Sequence, residues 1–170
     1  MMVIKSGAAF VLLALLNASP AIAQANASKA SAVGTWKLDL KQSTFGSEPA
    51  PTSVTLTITK DTPEALAWRV DLVDSAAKPF SFSWSGPLDG TLQPVKSADG
   101  NVIGTQSVKR EGDALLRHGE DPGDGSSFDS RATTSADGNT ITDVTTTTSK
   151  DGKTSKSTSV YHRVSGADRP

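Results

Sequence analysis

The two histidines are the side chains whose ordinary pKa lies near neutrality, so acid–base chemistry would have to start from them. His118 lies in Arg117-His118-Gly119-Glu120-Asp121, with Asp124 and Asp129 close behind. A histidine among carboxylates could act as a general base or help to hold a metal ion. A hard cation, however, needs several oxygens at regular spacing and a glycine at the bend. Asp121-Pro122-Gly123-Asp124-Gly125 has oxygens and glycines but lacks the Asp-x-Asp-x-Asp-Gly spacing, and it reads as an acidic, solvated loop. His162 falls on the last extended segment beside Arg163, where a lone histidine is usually structural or exposed. Two histidines cannot form a three-histidine zinc site, and the absence of cysteine removes thiol nucleophiles and thiolate metal sites.

The other catalytic arrangements are missing as well. No serine sits in Gly-x-Ser-x-Gly, and Ser85 in Trp84-Ser85-Gly86 lacks the first glycine. No glycine-rich loop opens a helix, so no phosphate cradle is expected. The sequence therefore points away from an enzyme and implies no cofactor and no metal. The run Thr145-Thr146-Thr147-Thr148 is explained by β propensity on a half-exposed strand, although it could also present a hydroxyl-rich face.

A different kind of site is better supported. Leu66, Trp68 and Val70 share one face of a period-2 segment, and Phe80, Phe82 and Trp84 share one face of the next. These six residues could line a cavity for an apolar ligand, or they could fill a core, since the interior of a small barrel can be just filled by side chains. If they line a cavity, Trp84→Ala should weaken binding more than folding.

The elements that would position them are all extended. The first is Val33–Leu40, in which Trp36, Leu38 and Leu40 alternate with Thr35, Lys37 and Asp39. A connection with Phe45, Gly46, Pro49 and Pro51 follows, and Phe45 could plug one end of a barrel. Val54, Leu56 and Ile58 share a face of the next strand. Later segments are bounded by Asp-Gly turns, and Ser-Ala-Asp-Gly-Asn occurs at both 97–101 and 135–139. No segment after the leader has helical periodicity. About ten short strands with hairpin connections predict an all-β, antiparallel up-and-down meander closing into a barrel, which also removes exposed edges.

The first 23 residues read as a secretory signal peptide: Lys5, an apolar run from Gly7 to Leu16, a break at Asn17–Pro20, then Ala21-Ile22-Ala23. Cleavage after Ala23 would leave 170 − 23 = 147 residues, enough for one domain with a core. Residues 24–32 are expected to be a flexible lead-in, 33–164 the barrel and 165–170 a polar tail. No run is long enough to cross a membrane as a helix. The leader removes Lys5, so 16 basic residues face 18 acidic ones, a balance that does not suit a nucleic-acid partner. The expected location is the periplasm or the extracellular space, and the expected partner a small apolar molecule; nothing in the pattern sets an oligomeric state.

Gly34-Thr35-Trp36 at the head of a meander resembles the opening of lipocalin and calycin barrels, and Arg163 near the last strand matches the arginine that packs over that tryptophan in those folds. The chain is also similar to small exported bacterial lipocalin-like proteins, a group without an assigned activity. The similarity rests on Gly34–Leu38, Ser43, Phe45, Pro49-Ala50-Pro51, Asp151-Gly152-Lys153 and Val160-Tyr161. Where lipocalins carry Thr-Asp-Tyr, this chain has Thr142-Asp143-Val144. The resemblance implies a lipocalin-like barrel that binds a small apolar or amphipathic molecule, with Gly34, Trp36 and Arg163 as its structural signature. A ligand-free envelope protein is the alternative.

Overall fold

Each strand pairs antiparallel with the strand before it and the strand after it, and the last returns to the first. In this computed structural model, residues 31–164 are described, and the expected signal peptide, most of the lead-in and the polar tail lie outside them. The strands are β1 (Gly34–Leu38), β2 (Ser53–Asp61), β3 (Ala65–Val73), β4 (Pro79–Pro87) and β5 (Gln93–Ser97). They continue as β6 (Val102–Glu111), β7 (Ala114–Asp121), β8 (Ser126–Thr134), β9 (Thr140–Thr148) and β10 (Thr154–Arg163). Pairing of β1 with β10, Trp36 opposite Arg163, closes the barrel. There is no helix among the described residues. The expected all-β, ten-stranded antiparallel barrel is what the chain forms.

Alternation sets which side chains point inward. On β2, β3 and β4 the apolar faces are in register across the sheet. Ile58 lies opposite Trp68 and Trp68 opposite Trp84; Leu56, Val70 and Phe82 form the next row; Val54, Leu72 and Phe80 the last. Such cross-strand rows of aromatic and branched residues stabilise a sheet. Pro94 sits in short β5, whose register slips between Val95 and Lys96 and which pairs with β4 only at Phe82–Ser97 and Ser83–Lys96. This fits the confinement of proline to edges and bulges.

The repeated pentapeptide makes one turn twice. Ser97 Oγ donates to Asp99 Oδ1 and Asn101 Nδ2 to Asp99 Oδ2; Ser135, Asp137 and Asn139 repeat both bonds. The acidic segment after His118 is a tight turn over residues 122–125, because β7 runs to Asp121 and β8 begins at Ser126. Phe45 does not plug the barrel. It lies half-buried in the 39–52 connection, which follows β10 through a bridge from Thr44 to Thr158, and it belongs neither to the core nor to the cavity lining.

The two ends of the barrel differ. The β2–β3, β4–β5, β6–β7 and β8–β9 turns lie at one end together with residues 31–34 and 163. Trp36, Val108 and Ala114, all fully buried, close this end with Ile58, Leu66, Leu88 and Ile141. Two residues of the expected lead-in, Ser31 and Ala32, are tied into it. Ala32 N–H donates to Asp61 Oδ2 at 2.9 Å, and its carbonyl accepts from Trp36 Nε1 at 2.9 Å. Asp61 also takes an ion pair from Arg110 at 2.6 Å. At the other end the rows thin out, and Phe80 is 44% exposed.

Candidate functional site

Inward alternation on all ten strands leaves a cavity of about 540 Å³ inside the barrel, bordered by Phe80 and Asp121 toward the open end and by Ile58, Leu66 and Ile141 toward the closed end. This volume lies within the range of sites for drug-sized molecules. One wall is apolar and comes from β2, β3 and β4: Leu56, Leu66, Trp68, Val70, Phe80 and Phe82. The rings are locked together. Trp68 meets Phe82 edge-on with centroids 5.8 Å apart, and Phe82 lies 5.7 Å from Phe80.

Five of the six residues expected to line a cavity therefore do so: Leu66, Trp68, Val70, Phe80 and Phe82. Trp84 is the exception. It is 2% exposed, stacks on Trp68 with centroids 6.4 Å apart, and donates its Nε1 proton to the Gln106 carbonyl at 3.0 Å. That bond reaches across the weak β4–β5 ladder and turns the indole into the packed wall instead of the cavity. Lining and filling thus divide residue by residue: Trp36, Trp84 and Val108 are packed, whereas Leu66, Trp68 and Val70 border the cavity.

The opposite wall is polar, and its centre was not recognised in the sequence. Arg117, read there as part of the segment around His118, points inward from β7. Its Nε donates to Ser130 Oγ at 2.8 Å, and its Nη2 forms a close ion pair with Asp143 Oδ2. The guanidinium carbon also lies 5.7 Å from the centre of the Phe128 ring. Gly119 allows that ring to lie flat against β7, since a Cβ there would come within 2.3 Å of Phe128 Cε1. Tyr161 completes this wall. Burial pushes its phenol above the usual range; the Asp143 charge adds to the rise and Arg117 opposes it. Signals for these residues were present: Leu115-x-Arg117 and Ile141-x-Asp143-x-Thr145 each place a charge on an otherwise apolar or β-branched alternation.

Both histidines are on the outer surface. His118 Nδ1 is 2.9 Å from Asp129 Oδ1, and His162 Nε2 is 3.1 Å from Gln42 Nε2; neither lines the cavity. No group of three His, Cys, Asp or Glu residues among those described could hold a metal ion. The signature residues gather at the closed end. Arg163 lies over Trp36, 4.1 Å from the ring centroid, and Gly34 (φ +146°) leaves room for it: a Cβ would come within 2.7 Å of Arg163 Nη1.

Comparison with solved structures gives barrels of the same kind. Two are a mutant of the fluorescent protein UnaG, at TM-score 0.53 and 16% identity, and the zebrafish ileal bile acid-binding protein complexed with cholic acid, at 0.52 and 15%. The first match covers 78% of this chain and 96% of the other; the second covers 79% and 100%. They establish a shared antiparallel β-barrel fold. Neither a family model nor a curated protein matches the chain.

Proposed function

We propose that this chain is an exported barrel that binds a small amphipathic molecule in its cavity, in the periplasm or outside the cell. The observation that carries the reading is the two-sided cavity: an apolar wall built on Trp68, Val70 and Phe82 faces the polar side chains of Arg117, Asp143 and Tyr161. Apolar area covered by the ligand would supply affinity at about 25 cal/mol per Å², and the polar wall would set its orientation. The similar barrel crystallised with cholic acid, itself amphipathic, supports this class of ligand. Export is inferred from the leader pattern of residues 1–23. The alternative of a ligand-free envelope protein called for a filled barrel, and a 540 Å³ cavity does not favour it.

The test is native mass spectrometry on protein purified from its own cells, repeated after solvent extraction. A bound small molecule lost on extraction is the expected result. A protein that is free as isolated, and that also fails to take up an apolar fluorescent probe, would overturn the reading.

A further inference from the structure

The polar wall limits what the ligand's polar end can be. Among the described residues, four charged side chains line the cavity: Arg117, Glu120, Asp121 and Asp143. The single cation is already engaged, bonded to Ser130 and paired with Asp143. Glu120 and Asp121, at the end of β7, stand at the mouth. A carboxylate entering this space would pass two acids and then meet an arginine whose charge Asp143 already balances. In a partly desolvated cavity, a second negative charge beside one cation is costly.

Two other atoms call for partners. Among the described residues, three buried side-chain atoms have no hydrogen-bond partner: Gln106 Nε2, Asp143 Oδ1 and Arg110 Nε. Arg110 belongs to the closed end, but Gln106 and Asp143 both line the cavity and are 2% and 8% exposed. The strand register places them along one oblique band. Gln106 lies opposite Gly119 on the strand that carries Arg117; Arg117 faces Ser130; Asp143 faces Ala132, two residues beyond Ser130. Buried polar atoms are normally satisfied, and these two sit at either end of the band, one an acceptor and one a donor.

We infer that the cavity takes an amphipathic molecule whose polar end donates a hydrogen bond and carries no negative charge, with Asp143 Oδ1 as its acceptor. A hydroxyl, amide or ammonium group meets this requirement, and Gln106 Nε2 supplies a donor for a second polar atom of the ligand. The inference rests on the reading of the cavity as a binding site, and it adds the chemistry of the headgroup.

Three probes with one chain length test it: 1-decanol, decylamine and decanoic acid, titrated calorimetrically into the intact protein at neutral pH. The tighter of the alcohol and the amine should bind at least about tenfold more tightly than decanoate, because only decanoate adds an uncompensated negative charge. Decanoate binding as tightly as either would overturn the headgroup assignment and leave the cavity reading intact. Binding by none of the three would overturn both. Asp143→Asn should reverse the order by releasing Arg117, raising decanoate affinity about tenfold; a folded variant with an unchanged order would also overturn the assignment. If that variant does not fold, the ranking on the unaltered protein decides alone.

Discussion

Arg163 lies 4.1 Å from the centroid of the Trp36 ring and, from that position, donates to three carbonyl oxygens: Val33, Ser31 and Gly138, each at 2.8 Å. One side chain thus joins the start of the barrel, its last strand and the β8–β9 turn, over an indole that is fully buried.

Lysine keeps the charge but loses the planar stack and the forked donors. Arg163→Lys should cost about 1–3 kcal/mol of stability in urea unfolding. Gly34→Ala should cost a similar amount, about 1–3 kcal/mol, through its positive φ and its clash with Arg163. In the Gly34→Ala, Arg163→Ala double variant the clash is gone, so the combined loss should be smaller than the sum of the two single losses. Ligand affinity per folded molecule should be unchanged in all of them, because the pair lies at the sealed end.

Trp68 and Trp84 stack on each other yet should behave differently. Trp84→Ala empties part of the packed wall and should cost about 3–5 kcal/mol in thermal or urea unfolding, with binding by the folded fraction little altered. Trp68→Ala should weaken binding in addition to stability. This reverses the expectation for Trp84 drawn from alternation, and titration of both variants with one apolar probe checks it.

Tyr161 is the only tyrosine, so its ionisation can be followed alone by near-ultraviolet absorbance. The titration midpoint should lie above the ordinary tyrosine value of about 10. A folded-state pKa that is raised means the folded form holds the proton longer. This contribution to stability is complete below about pH 10 and is lost as pH rises through the folded value. Alkaline denaturation should therefore begin there, and Tyr161→Phe should lessen its steepness.

Asp71 works in the opposite direction. The Arg69 guanidinium and then the Ser81 hydroxyl hold its carboxyl below the usual range. A depressed carboxyl contributes stability above about pH 4 and loses it as pH falls through the folded value. Asp71→Asn should flatten the acid side of the stability curve below pH 4 and lower the neutral plateau by the same small amount, small because the pair is half-exposed and screened.

The first half of the barrel was legible in the sequence because its alternation is strong. Val54-x-Leu56-x-Ile58 and Leu66-x-Trp68-x-Val70 have one reading, and slipping either by a residue would turn every large side chain outward. The second half alternates threonine and serine with small or charged residues, so its inward face has no hydrophobic label. Arg117 was hidden beside His118 for that reason, and Asp143 appeared only as a departure from a family pattern. Trp84 failed for another reason. Its face was read correctly, but Trp68 in the same row borders the cavity while Trp84 packs away from it, because the Trp84 indole reaches past short β5 to the Gln106 carbonyl, a tertiary bond that a period of two does not encode.

Ser31 and Arg163 are in direct contact, so the chain enters and leaves the barrel at the sealed end. In a ring where β1 meets β10 as β2 meets β3, the chain ends mark only one of ten seams. A short peptide joining residues 31 and 164, with a cut at the exposed Asp151–Gly152 turn, would keep every strand pairing and move both new ends to the rim. Cargo joined at residue 31 or 164 would sit opposite the entrance, while cargo joined at residue 151 or 152 would stand over it.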